Sequence, residues 1–394
     1  NGSIINNGTI KNLSKIGMQV SAGATALNTG TIENVGVRGM FAETGASAIN
    51  EGIIKNTAGS GMRAAEGGYA ENKENGLIAN NSSTGIYVTG LGSLGVNRGT
   101  IANNGIYGMW IEKESVGKNY GVIQNKGTYG MLATDSALAQ NYGIIKNIGD
   151  NGMMAQANGR IENYGTVQNI GNNGMMTNGA SLITNNGLII NTKDTGMSVQ
   201  TGGTAVNGVD GIIRNGGNIG MAAATSATAT NYGLIENGGD NGMLGTNYSN
   251  RLVNNGTIKN KGNVAMTTNG GAVNNGLIEL TGDNKTGMSI TSGAQSNNKG
   301  VGINNGTILI HGANTIGMSV ADGGTIINQG TITLDGTGTG MSAVRGSHII
   351  LGTGSIINIG SQTMTATGSE TTADGFYIKT DATSDVNNQG AIAS

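Results

Sequence analysis

The sequence predicts an all-β chain wound as a right-handed parallel β-helix of about 16–17 coils, mostly 22–24 residues each. Three observations predict it. A phrase N-x-G-x-I recurs, anchored on Gly8, Gly30, Gly52, Gly76, Gly99, Gly121, Gly143 and onward to Gly354 and Gly390. A second phrase, G-M, follows about ten residues after each anchor, giving a row from Met18 and Met40 to Met318 and Met341, with Ile86 replacing Met in one copy. Charge then alternates in sign three residues after the anchor, as Lys11, Glu33 and Lys55 and again as Arg214, Glu236, Lys259 and Glu279. Strands stacked about 4.8 Å apart bring such residues together, so opposite signs attract and like signs repel.

Each coil of about 22 residues holds three short strands. The first reads T-I-E-N, with a branched residue two after the anchor (Ile32, Ile54, Ile78, Val167). The second starts at G-M and places Met40 with Ala42, or Met197 with Val199, on one face. The third is small and apolar, as at Ala46 and Ala48 or Ala137 and Ala139. A helix is excluded by several glycines per copy and by the lack of an apolar stripe at three-four spacing. No coil can bury its apolar face alone, so stability is of nearest-neighbour kind, at about 0.8 kcal/mol per stacked, buried CH₂. One Asn row lies two before the anchor and a second four after it, and stacked amides hydrogen-bond along the axis. The second row turns apolar at Leu280, Ile310 and Leu334. The glycines are expected to supply the positive φ of tight corners. Seventeen copies at about 4.8 Å predict a rod on the order of 80 Å.

The chain is expected to be one segment over residues 1–394, with loop insertions at 291–302 and 361–373. Copies near Glu66–Asn75 and Gly202–Asp210 are longer by about two residues. In the tail, Phe376 of "DGFYIKT" is expected to take the Met position, with Ile378 inward. Both ends fall inside a repeat, so the chain reads as a piece of a longer protein.

Composition narrows the function. With 394 residues, 73 Gly, no Cys, 11% charged residues and a net charge of −2, thiol chemistry is excluded and a basic nucleic-acid face is not expected. There is no apolar run long enough to span a membrane as a helix. Candidate catalysts are sparse. Asp150 and Asp240 occupy equivalent places four coils apart, and Asn172 holds that place in the coil after Asp150. Glu112 and Glu114 flank Lys113 and read as a solvated turn. His311 and His348 show no clear partner for metal binding. Hence no catalytic residue, cofactor or metal ligand is assigned. Outward aromatics are the remaining signal. Tyr120, Tyr142 and Tyr164 precede three consecutive anchors, and Phe41, Tyr87 and Trp110 follow the Met row. They are either stacked ladders or a binding stripe, and Trp110→Ala is expected to weaken binding without changing melting.

The alternation of N-x-G-x-I-x-N with G-M through about residues 1–360 resembles the passenger repeats of autotransporter adhesins. The resemblance is greatest to the very large, type V secreted fusobacterial outer-membrane adhesins, the RadD-like and galactose-inhibitable-adhesin-like group. It implies an extracellular passenger at the bacterial cell surface, anchored by a C-terminal barrel that this sequence lacks. It also implies attachment to host cells or partner bacteria. The expected function is therefore a structural, adhesive, non-catalytic surface rod, monomeric and not itself inserted in a membrane. Its expected partner is a host glycan, a receptor protein or a partner bacterium's surface. The alternative is a polysaccharide-processing β-helix enzyme.

Overall fold

The structure is a computed structural model that describes residues 2–80, 83–292, 299–365, 371–372 and 375–388. The chain is an all-β, right-handed parallel solenoid of about 16 coils with about 22 residues per coil. It divides by compactness into two units, Asn1–Lys193 and Asp194–Ser394.

Three strands make a coil, as in Ser47–Asn50, Ile53–Asn56 and Ser60–Ala65. Strands of one kind stack in parallel and build three sheets, named here in that order. In the first unit Asn50 lies opposite Asn28 and Asn72, Ile54 opposite Ile32 and Ile78, and Met62 opposite Met40 and Ile86. In the second unit Asn231 faces Asn254, Ile235 faces Ile258 and Met243 faces Met266. The short strands alternate as period-two geometry requires. Ile32 and Asn34 point inward while Thr31 and Glu33 reach water. The alternating charges pair as the register demands, Lys11 and Lys55 with Glu33 at 3.7 and 3.6 Å, and Arg214 with Glu236 at 2.8 Å.

Stacked Ile and Met form the core, with Ile54, Met62, Ile86 and Met109 all 0% exposed. In some coils volume is exchanged between sheets. Where the third sheet carries Ile111, the first has Gly117, and a Cβ there would lie 2.4 Å from Ile111 Cγ1. Gly95 stands in the same relation to Val88, at 2.4 Å. In these two coils the close-packed interior leaves no room for a side chain at the glycine.

Both Asn rows are buried amide ladders. Asn50 Nδ2 donates to Asn72 Oδ1 at 2.8 Å, and Asn119 donates to Asn141 at 2.8 Å. The remaining hydrogen closes the coil's own turn, as from Asn50 to Gly52 O at 3.1 Å. The second ladder runs through Asn103, Asn125 and Asn147 at 2.7 and 2.9 Å. It gives way to the buried Leu280, Ile310 and Leu334.

Glycines do supply positive φ at corners as expected, Gly23, Gly45 and Gly202 at 73°, 70° and 74°, but the repeat's anchor glycines serve a different purpose. Among the described anchors named above, only Gly354 has a positive φ, of 86°. Anchors such as Gly30, Gly52, Gly121 and Gly143 are needed because backbone stacks on backbone, and a Cβ on Gly143 would fall 2.1 Å from the carbonyl oxygen of Gly121. Left-handed residues instead fill the turn from third to first sheet, often without glycine. Lys113 and Glu114 have φ of 55° and 59°.

The longer copies place their extra residues between the first and second sheets, where Gly76 N bonds Lys73 O at 2.8 Å and Gly211 N bonds Gly208 O at 2.9 Å. The loop expected over 291–302 falls largely on 293–298, outside the described residues; Thr291 ends one strand and Val301 begins the next. Within 361–373, Gln362–Thr365 folds back antiparallel on Ile356–Ile359, and residues 366–370 and 373 lie outside the described set. The tail expectation needs correction. Ile378, not Phe376, lies opposite Met341, and Ile378 is buried. Counting back to the Met row from Gly390 succeeds with the short first turn of most coils and fails with the long one.

Candidate functional site

The outer face of the third sheet in the first unit carries the densest arrangement of functional side chains. Its strands do not alternate simply. In Tyr107–Glu112 both Gly108 and Met109 are buried, and a Cβ on Gly108 would meet Ile123 Cγ2 at 2.4 Å. Two consecutive inward residues put Tyr107, Trp110 and Glu112 together on the outside. The same offset places Arg38 with Phe41, and register carries the columns from coil to coil, Phe41 to Arg63, Tyr87, Trp110, Leu132 and Met154.

These side chains cover one another. Tyr87 stacks on Trp110 at 4.6 Å between centroids, Trp110 on Tyr107 at 5.0 Å, and Tyr107 on Tyr129 at 5.5 Å. Arg38 lies 4.5 Å and Arg63 5.4 Å from the Phe41 ring centre, and Arg63 is 4.8 Å from that of Tyr87. Phe41 points away from the sheet as expected, yet only 6% of it is exposed because the guanidiniums cover it. Trp110 is half-buried, with its indole N–H enclosed and unpartnered. Glu112 is no solvated turn residue. It is 7% exposed, and accepts from Tyr87 Oη at 2.5 Å and Thr89 Oγ1 at 2.9 Å. Burial and then this carboxylate push the Tyr87 phenol up to about 12.

Tyr120, Tyr142 and Tyr164 form a second row, at the turn from first to second sheet. Their rings stack at 4.9 and 5.0 Å and within 8° of parallel. Arg98 caps the Tyr120 face at 4.7 Å, and Tyr164 Oη donates to Glu162 at 3.1 Å. Neighbours occupy the faces between the rings, so the row presents edges and hydroxyls to water. Burial raises the Tyr142 and Tyr164 phenols above the ordinary tyrosine value.

Compared with known proteins, the chain matches no family model and no curated protein.

Asp150 accepts from Asn172 at 3.3 Å in the first unit, and Asp240 belongs to the second. The two histidines do have partners, contrary to expectation, because these come from the next coil. His311 Nδ1 pairs with Asp335, and His348 Nδ1 with Asp385 at 2.6 Å. Among the described residues no three His, Cys, Asp or Glu side chains could hold a metal together. In the second unit, Val209, Asp210, Ile212, Tyr232, Leu234 and Lys259 border an open concavity of about 490 Å³ beneath the long turn. Sequence reasoning missed Arg38, Arg63, Tyr107, Tyr129 and Glu112. The readable signal was the Gly before each Met, which marks two inward residues in succession.

Proposed function

We propose that this chain is a non-catalytic, adhesive scaffold of the bacterial cell surface, holding outward side chains in fixed register for attachment to host cells or partner bacteria. One observation carries the reading. From Arg38 to Met176 the outer face of the third sheet carries a continuous strip of aromatic, guanidinium and thioether groups, ordered by coil register, that pack on one another and are half-buried to buried. Aromatic and arginine side chains held in a fixed arrangement on an outer face are the kind that anchor contacts. The likeness of the repeats to autotransporter passengers supports the same reading, including export through an outer-membrane barrel. The ligand on this reading is a cell-surface glycan or receptor protein. Beads coated with the purified chain are expected to adhere to epithelial cells or to partner bacteria above beads coated with an unrelated β-solenoid. Equal adhesion of the two sets would overturn the proposal.

A further inference from the structure

Several cations meet acids of neighbouring coils, Lys73 with Glu51 at 2.7 Å, Arg98 with Glu71 at 3.0 Å and Arg345 with Asp322 at 2.6 Å. Arg38 and Arg63, like Lys126, Lys146 and Arg251, make no ion pair among the described residues. What sets them apart is that they sit on consecutive coils of the first unit. The nearby acids are engaged, Glu43 by Gln19 Nε2 at 2.8 Å and Glu112 by Tyr87 and Thr89. The two cations converge instead on one ring, 4.5 and 5.4 Å from the centre of Phe41. Burial and the adjacent Arg63 charge hold Arg38 below the ordinary arginine value, opposed in part by the nearby Glu43 carboxylate.

Arg63 is held between two rings, 5.4 Å from the Phe41 centre and 4.8 Å from that of Tyr87. The rings take up the guanidinium faces, so further partners can meet Arg63 only in the guanidinium plane, through its terminal N–H groups. Its Nε–H is enclosed and unpartnered. A fork fixed in this way loses little freedom when it meets a planar oxyanion.

We infer that Arg38 and Arg63 form an oxyanion-binding pair for the carboxylate or sulfate groups of an acidic polysaccharide lying along the strip past Tyr87, Trp110 and Tyr107. The inference rests on the adhesive reading and names its ligand class. A polysaccharide fits better than a peptide for two reasons. The third-sheet strands here pair on both sides, as Ser60–Ala65 does with Arg38–Glu43 and Thr84–Thr89, so no free strand edge awaits an added peptide strand. The outer groups also repeat once per coil, about every 4.8 Å, close to the advance of one pyranose ring.

The test uses the intact chain, immobilised, with heparan sulfate and hyaluronan oligosaccharides as sulfate and carboxylate probes and poly-glutamate as the peptide polyanion. At least one oligosaccharide is expected to bind, more weakly as salt rises. Arg38→Gln and Arg63→Gln should each weaken binding about 10-fold and together about 100-fold. Arg63→Lys keeps the charge but loses the fork, and should weaken binding nearly as much as Arg63→Gln. It also serves as the readout if the double variant fails to fold. Arg251→Gln, at an exposed arginine of the second unit, should bind as the parent does. No binding of either oligosaccharide, tighter binding of poly-glutamate, or equal losses in the Arg251 variant would each overturn the inference. Cell adhesion that survives in a folded Arg38→Gln, Arg63→Gln double variant removes this pair and leaves the adhesive reading standing. A parent chain that adheres to no cell removes that reading itself.

Discussion

At the residue scale, Tyr87 and Glu112 show how a solenoid buries polar groups on its outside. Thr89 and Tyr87 reach Glu112 from the coil before, at 2.9 and 2.5 Å, so the carboxylate has donors without a turn of its own. The Tyr87 phenol is pushed up to about 12 by burial and then by Glu112, against about 10 for an unfolded chain. The folded state therefore holds this proton more tightly. Its contribution to stability is intact below about pH 10 and is lost as pH rises from about 10 through about 12. Melting temperature should fall across that window, and Tyr87→Phe should make the fall shallower; an unchanged slope would refute the assignment. Glu114 tests the backbone. At φ 59° it strains a non-glycine residue, so Glu114→Gly is expected to raise stability by about 0.5–1 kcal/mol, read from the denaturation midpoint. Glu112 was misread in the sequence because its neighbours there, Lys113 and Glu114, are charged, while its real neighbours lie 23 and 25 residues away. Trp110 carries a similar lesson. Stacked on Tyr87 and Tyr107, it is part of the outer layer's packing, so Trp110→Ala should lower melting as well as binding.

At the scale of elements, a row of one residue type is legible in sequence, while a compensation between rows is not. The Ile, Met and Asn rows stand at the repeat's own period, and the three sheets follow from them. The offset that puts Arg38 beside Phe41 was hidden because strict alternation would turn Arg38 inward with Met40. The exchange of Gly117 against Ile111 was hidden because it links two strands at opposite sides of one coil. That exchange predicts a coupling. Gly117→Ala should cost about 1–3 kcal/mol by overpacking and Ile111→Ala about 2–5 kcal/mol by leaving a cavity. The double variant should cost less than the sum, because the new methyl enters the space that Ile111 leaves. Urea denaturation of the four proteins measures the coupling, and additivity would show that the two side chains do not share one space. The ladders allow a second comparison. Asn147 donates to Asn169 and accepts from Asn125, each at 2.9 Å. Asn260 accepts from Asn237 at 2.8 Å, but Leu280 follows it. Asn147→Leu therefore strands amides on both sides and Asn260→Leu on one. The first should be more destabilising by about 1–3 kcal/mol.

At the scale of the whole molecule, stability and recognition draw on different forces, and salt separates them. Each unit is held by stacked apolar side chains and by amide ladders in the buried interior, neither of which salt screens. The cross-coil ion pairs are exposed; Lys11 and Glu33 have side chains 73% and 40% accessible, and pairs of that kind contribute only about 0–1 kcal/mol. The division at Lys193 left no mark in the repeat period; the turn-back at Gln362–Thr365 did, as a lengthened copy over 361–373, but the period could not tell that the extra residues fold back antiparallel. Binding by Arg38 and Arg63 would depend on charge throughout. Raising sodium chloride from 0.1 to 1 M shortens the screening length from about 10 to about 3 Å. The melting temperature should then move by no more than a few degrees, while affinity for an acidic oligosaccharide should fall by at least about tenfold. Parallel scans of melting and binding on one preparation make the comparison. A melting temperature that drops steeply with salt would mean that the surface ion pairs, and not the stacked core, hold the coils together. Binding that salt leaves unchanged would instead place the contact on the aromatic edges beyond Arg63.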